Sequence, residues 1–271
     1  MNLLERKMVN ALLDLKENHH VTGIKAEFEA EGTRMEEALR LKEVITRAGL
    51  NLTLKIGGCE AMRDIYEART IGVERIVAPM VESAFALRKF LSAIRLAVPL
   101  EEQEEIDFCI NVETIDASDN FEAMLKMPEI SKLDGIVVGR VDLTGSLGMS
   151  RDDVNSRRIF EITRDLLTRA KEKTLETAIG GGVSAESLPF FRELPAGTLD
   201  RYETRKVIFG CPDALVKDAD KGILKAVGFE LLWLKNKRDY YSLIANEDEQ
   251  RIVMLERRYK HLIEQAGGRW E

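Results

Sequence analysis

Thr22-Gly23-Ile24-Lys25-Ala26-Glu27-Phe28-Glu29 alternates in character residue by residue, the period of a strand with one buried face. Just beyond it, Met35 to Arg47 changes to helical spacing, and Ala48-Gly49 closes that run. The same strand, turn, helix order then recurs. Strands are expected at Leu52 to Ile56, Arg75 to Met80, Asp107 to Glu113 and Gly135 to Arg140, each followed by helix-like sequence. An amphipathic helix with Leu4, Met8, Leu12 and Leu15 on one face precedes the first strand. Leu175 to Ile179, ending in Gly180-Gly181-Gly182, reads as the sixth strand, and Tyr202 to Phe209 as the seventh. The eighth is placed at Gly228 to Trp233, a segment that fits an amphipathic helix equally well. Strands separated by helices form parallel βαβ units, in a closed barrel or an open sheet. No Gly-x-Gly-x-x-Gly follows the first strand, which counts against the dinucleotide-binding open sheet. The reading is therefore a TIM-type (β/α)8 barrel over residues 1–234 with a C-terminal helical extension over 235–271. Ile244, Ile252, Leu255, Tyr259 and Leu262 recur at helical spacing in that extension, which reads either as an oligomer contact or as a solvated helix.

Composition narrows the function classes. Lys and Arg number 40 against 47 Asp and Glu, for a net charge of −7, and no long basic run is present; nucleic acid is not an expected partner. Cys59, Cys109 and Cys211 are far apart and odd in number, which fits neither a disulfide framework nor a thiolate zinc site. The opening residues lack the basic-then-apolar order of a signal peptide, and no apolar stretch is long enough to span a bilayer. The expected setting is the cytoplasm, with no membrane association.

Strand parity sorts the polar residues. Apolar side chains must face the helices, so the other parity points into the barrel. That leaves Lys25, Glu27 and Glu29 inward on the first strand, Thr53 and Lys55 on the second, and Cys109, Asn111 and Glu113 on the fourth. Arg140 and Asp142 end the fifth, and Glu203 and Arg205 lie on the seventh. Barrel active sites assemble at the C-terminal ends of the strands, where these charges collect. An inward Lys25–Glu27 pair is equally well a buried structural ion pair. Glu113 and Asp142 end successive strands, whose spacing is about 4.8 Å, so both can reach one cation. Oxygen ligands of this kind suit Mg²⁺ or Mn²⁺.

Asn111-Val112-Glu113-Thr114, followed by Gly139-Arg140-Val141-Asp142-Leu143-Thr144-Gly145-Ser146-Leu147-Gly148, resembles the HpcH/HpaI aldolase and citrate lyase β-subunit family. Ile76-Val77-Ala78-Pro79-Met80-Val81-Glu82-Ser83-Ala84 resembles its Pro-Met-Val strand, and the order agrees over roughly residues 20 to 215. The resemblance implies a barrel related to pyruvate kinase, a divalent metal, and hexamers or other oligomers that exchange a C-terminal helix. It implies aldol addition or cleavage giving pyruvate, or cleavage of acyl-CoA thioesters. By position Glu113 and Asp142 would hold the metal. Two departures stand out. Lys55 occupies the place of a substrate-binding Arg, keeping the charge but not the bidentate fork. The family's general-base His is absent, since the histidines are His19, His20 and His261; Glu27 and Glu29 are the nearest substitutes.

The expected function is thus a metal-dependent lyase acting beside a 2-oxo acid, on a small oxo-acid and aldehyde pair, as a hexamer or trimer. Glu113 and Asp142 would hold Mg²⁺ or Mn²⁺. Lys55 and Arg205 would stand where negative charge develops, and Glu27 would move a proton. Gly139, Arg140, Gly145 and Ser146 would contact substrate. Three alternatives stay open: a citrate-lyase-like acyl-CoA lyase, a Schiff-base mechanism on Lys25 or Lys55, and a catalytically degenerate barrel that serves as a binding or assembly subunit.

Overall fold

Eight strands form the barrel in the computed structural model, which describes residues 1–269: β1 Val21–Glu27, β2 Asn51–Lys55, β3 Arg75–Ala78, β4 Asp107–Val112, β5 Gly135–Gly139, β6 Glu176–Gly180, β7 Arg201–Glu203 and β8 Val207–Gly210. They pair in sequence order and close on themselves. Around them lie α1 Leu3–His19, α2 Met35–Ala48, α3 Met62–Ile71, α4 Ala84–Ala97, the single turn α5 Leu100–Gln103, α6 Ile115–Leu125, α7 Arg140–Ser146, α8 Arg157–Glu172, α9 Leu188–Glu193 and α10 Ala219–Gln265. No helix among the described residues is long and apolar enough to cross a membrane.

The first βα unit shows how sequence spacing becomes packing. On α2, Ala38, Leu41, Val44, Ile45 and Ala48 are buried on one face, and each large side chain so covered contributes about 1.5–3 kcal/mol. At its start the Glu37 carboxylate accepts the Arg34 N–H at 3.3 Å. At its end Gly49 takes φ +63°, a left-handed turn that glycine adopts without steric cost. Inside the barrel, Val77, Cys109, Val137 and Ala178 form a small separate apolar layer. Below it, at the first residues of their strands, Arg75 pairs with Asp107 and, at 2.7 Å, with Glu176, which Arg201 also meets at 2.7 Å. Charge therefore lies at both ends of the barrel with an apolar plug between, and only one end carries the loops that follow β1 to β7.

The last quarter departs from the sequence reading. Residues 202–209 are not one strand. Thr204-Arg205-Lys206 turns the chain back, so that β8 runs antiparallel to both β7 and β1. The turn is closed by Thr204, whose N–H donates to the Val207 carbonyl at 2.9 Å and whose Oγ1 accepts the Val207 N–H at 3.1 Å. The segment 228–233 is helical, with Phe229 and Trp233 buried one turn apart. The helical alternative is the one adopted there, and the eighth strand comes from the second half of the predicted seventh. Because β8 runs backwards, its turn sits at the mouth of the barrel and no helix separates it from β7.

α10 runs without a break from 219 to 265, through the 234/235 division. Its 47 residues make it about 70 Å long. Ala219, Gly222, Ile223, Ala226, Phe229, Trp233 and Asn236 are buried, the helix packing chiefly on α1, whereas residues 242–262 are exposed throughout. Trp270 and Glu271, at the end of the extension, lie outside the described residues.

Candidate active site

At the mouth, strand parity places Lys25, Glu27 and Lys55 together as expected. Lys25 Nζ lies 2.6 Å from Glu203 Oε1 and 3.1 Å from Glu27 Oε1. The approach of β6 to Glu203 is close: a Cβ on Gly180 would stand 3.0 Å from Glu203 Oε1. Burial works to lower the Lys25 ammonium, but the two carboxylates outweigh it and hold it above its ordinary range. Lys55 Nζ is 3.0 Å from Glu29 Oε2 and 3.6 Å from Glu113 Oε2. Burial opposes the charge there too, and Glu113 and Glu29 again bring the net shift upward. A Schiff-base lysine needs the opposite shift, so neither ammonium is prepared for that chemistry.

Glu113 is the best-held group in the site. It follows β4 directly and is 1% exposed. Its Oε1 accepts the Met80 N–H at 3.0 Å, and its Oε2 accepts Asn111 Nδ2 at 2.7 Å. Met80 reaches that position with φ +51°, a strained conformation for a residue with a Cβ. β5 passes so close that a Cβ on Gly139 would lie 2.6 Å from Glu113 Oε2. Gly139 is thus a space-making residue beside the carboxylate. Burial pushes the Glu113 carboxyl up, Lys55 and the two hydrogen bonds pull against it, and Asp142 adds to the rise. Asp142 is exposed in the first turn of α7, on the chain segment that follows Gly139.

These two carboxylates suit a hard cation. Each Glu113 oxygen has one protein donor from the backbone or Asn111 and keeps a lone pair, and a cation would relieve the repulsion from Asp142. Among the described residues no cluster of three or more His, Cys, Asp or Glu is arranged as a metal cage. A divalent ion here would take two protein carboxylates and complete its shell with substrate and water.

The remaining residues are placed differently. Arg140 is fully buried. Its guanidinium donates to Asn155 Oδ1 at 2.6 Å, Gly181 O at 3.0 Å and Ser187 Oγ at 3.2 Å, and lies 5.0 and 5.1 Å from the Phe190 and Phe191 ring centres. Burial without an acid partner lowers its pKa to about 10. It ties α7 to the β6 loop rather than facing the mouth. Ser146 Oγ donates to Leu143 O and accepts the Ile115 N–H at 2.9 Å, fixing the start of α6, while a Cβ on Gly145 would meet open space. Gly181, at φ +78°, presses on the start of α7, where a Cβ would stand 2.6 Å from Val141 N. Arg205 lies in the β7–β8 turn, half exposed, with Nε 3.2 Å from Glu31 Oε1, and Lys206 pairs with the other Glu31 oxygen. Sequence reading followed the acidic series on the first strand to Glu29 and stopped one repeat short of Glu31. Continuing the same period of two was the available signal.

The sequence model of the HpcH/HpaI aldolase/citrate lyase family matches residues 34–184. That span holds Lys55, Glu113 and Asp142, while β1 and the β7–β8 hairpin lie outside it. Among solved structures, an HpcH/HpaI aldolase from Desulfitobacterium hafniense DCB-2 is similar with a TM-score of 0.59 at 15% identity, covering 75% of this chain and 83% of that one. An HpcH/HpaI aldolase/citrate lyase family protein from Burkholderia cenocepacia J2315 gives 0.54 at 14%, covering 69% and 80%. Citrate synthase SbnG gives 0.55 at 14%, covering 86% and 90%. At such identities the likeness is one of fold. No curated protein matches the sequence.

Proposed function

Because the chain belongs to the HpcH/HpaI aldolase/citrate lyase family, which places its chemistry in the lyase class, we propose that it makes or breaks a carbon–carbon bond beside a 2-oxo acid, with pyruvate as the oxo-acid fragment. The observation that carries this reading is the Glu113 carboxylate, buried, held from two sides, and set beside both Lys55 and Asp142. In this proposal Glu113 and Asp142 hold Mg²⁺ or Mn²⁺. Such an ion, when bound, acts as a Lewis acid toward the carboxylate and oxo oxygens.

Lys55 places fixed positive charge where the enolate oxygen develops, and its two carboxylate neighbours keep it protonated for that role. In the addition direction pyruvate C3 loses a proton, bonds to the carbonyl carbon of an aldehyde, and the aldehyde oxygen gains a proton. Cleavage reverses each transfer. Glu27 is poorly suited to take the C3 proton. Burial tends to raise its carboxyl, but Lys25, followed by Lys55 and Arg205, brings it below its ordinary value and makes it a weak base. Glu29, with a side chain 30% exposed and one oxygen near Lys55, is the proton acceptor in this scheme, and Glu27 positions Lys25.

The test is calorimetric titration of Mg²⁺ and Mn²⁺ into metal-stripped protein, with and without pyruvate. Saturable binding that tightens with pyruvate is the expected result. Absence of binding in both conditions would leave a barrel that binds or assembles without this chemistry.

We also propose that the chain works as a homo-oligomer, a trimer or hexamer, through the exposed half of α10. An isolated helix of this composition is only marginally stable in water, and residues 242–262 expose Leu243, Ile252, Met254, Leu255 and Leu262. Sedimentation velocity is expected to show a species above the 30.7 kDa of one chain; a monomer alone at micromolar concentration would remove the proposal.

A further inference from the structure

We infer that the carbonyl partner of the 2-oxo acid is an aldehyde without phosphate or carboxylate, and that Glu31 enforces this by occupying the Arg205 and Lys206 pair. The inference rests on the proposed 2-oxo acid chemistry and adds the identity of the second reactant.

Glu27, Glu29 and Glu31 continue at every second residue past the end of β1. The β8 reversal brings Arg205 and Lys206 to the same end of the barrel. A guanidinium beside an ammonium is the usual equipment for holding an anionic group. Here the cradle is already filled. Glu31 Oε1 lies 3.2 Å from Arg205 Nε, its Oε2 pairs with Lys206 Nζ and accepts Thr33 Oγ1 at 3.4 Å, and its side chain is only 13% exposed. Lys206 itself is buried, with a side chain 3% exposed.

The other cations of the mouth are committed as well. Lys25 stands between Glu27 and Glu203, and Lys55 between Glu29 and Glu113. The connections after β1, β2, β3, β4 and β6 contribute Glu29, Glu31, Glu60, Glu82, Glu113 and Glu186. Their basic residue, Arg34, lies 4.5 Å over the Tyr241 ring; Glu60 pairs with Lys89 at 2.8 Å, and the connection after β5 sets Asp142, Asp152 and Asp153 against the exposed Arg151. Beyond the pyruvate carboxylate, which the cation at Glu113 and Asp142 would take, a second anionic group, whether a phosphate, a carboxylate or the phosphates of an acyl-CoA, would enter among like charges with no cation left to receive it, which disfavours binding. An uncharged hydroxyaldehyde meets carboxylate acceptors instead.

Aldol addition is measured with Mg²⁺ and pyruvate on two matched pairs of acceptors: glyceraldehyde and its 3-phosphate, and butanal and 4-oxobutanoate. The uncharged member of each pair is expected to have a kcat/KM at least about tenfold higher. In Glu31→Gln, Arg205 and Lys206 lose their counter-charge, and the ratio is expected to move toward the anionic member by at least about tenfold. Exchange of the pyruvate methyl protons in D2O without acceptor, followed by NMR, is run on both proteins. Exchange in the wild type together with preference for the anionic acceptors overturns the inference and leaves the 2-oxo acid chemistry standing. Exchange in both proteins with an unmoved ratio in Glu31→Gln removes Glu31 from the selection. Loss of exchange in the wild type brings down the underlying reading and this one with it. Should Glu31→Gln fail to fold, the wild-type ratios decide on the acceptor.

Discussion

Glu113→Ala is expected to lower the pyruvate exchange and aldol rates by about a thousandfold or more, and to abolish the pyruvate-dependent tightening of Mg²⁺, with little change in thermal stability. The two halves of this expectation have different origins. The rate loss follows because Glu113 is the one deeply buried carboxylate of the pair, and Asp142 alone is a single exposed ligand. The small stability effect follows because burial already works against the ionised Glu113. Deleting the buried charge removes its desolvation cost, which offsets the cost of leaving the Met80 N–H and Asn111 Nδ2 donors unpaired. Glutamine is not a conservative control. Both oxygens of Glu113 accept from N–H donors, so the amide NH2 would be turned against one of them. Steady-state rates and a melting curve on the same preparation check the expectation. A variant that melts far below the wild type while retaining activity would make Glu113 a structural residue.

Lys25→Met should show the converse pattern, a loss of stability of about 3–5 kcal/mol at neutral pH. Methionine fills similar space but strands Glu27 and Glu203 without their shared cation. In the wild type the stability that Glu27 contributes by being ionised is present above the ordinary Glu value and is lost as pH falls through its depressed folded value. In the variant the stranded Glu27 is shifted upward, so its charge costs stability above the ordinary Glu value. The deficit relative to wild type should therefore be largest near pH 7, begin to shrink as pH falls through the raised Glu27 value of the variant, and shrink further as pH falls below about 4.3. Urea unfolding at the two pH values measures it; a deficit under about 1 kcal/mol at pH 7 would mean that the Lys25 ion pairs contribute little net stability.

Most of the barrel was legible because β1, β2 and β4 alternate polar and apolar residues although both of their faces are buried, and because β3 and β5 are short apolar runs set between helices. The same parity located Lys25, Glu27 and Lys55, and strand ends located Glu113 and Asp142. The β7–β8 hairpin was not visible. Its turn is Thr204-Arg205-Lys206, without the Gly, Asn or Pro that normally marks a reversal, so residues 202–209 read as one run. Phe229 and Trp233, four residues apart, share a face in a strand or in a helix alike, and it is the unbroken α10 around them that decides for helix. The Met80 N–H that grips Glu113 was invisible for a related reason: methionine is an unusual occupant of positive φ. Arg140 looked like a site residue because it begins the loop that carries Asp142. Its length lets it fold back against Phe190 and Phe191 instead.

The reversed eighth strand also governs when the barrel can come into being. Val21 and Phe209 are partners across the closing seam, so the ring has no complete form until nearly the whole barrel sequence is available. A chain emerging from the ribosome carries β1 with an unsatisfied edge through the synthesis of every later strand, and long-range pairing of this kind is slow and exposed to aggregation. The hairpin shortens the wait. Once β7 has docked on β6, β8 follows within a three-residue turn, already folded back toward the seam, and no intervening helix must form before closure.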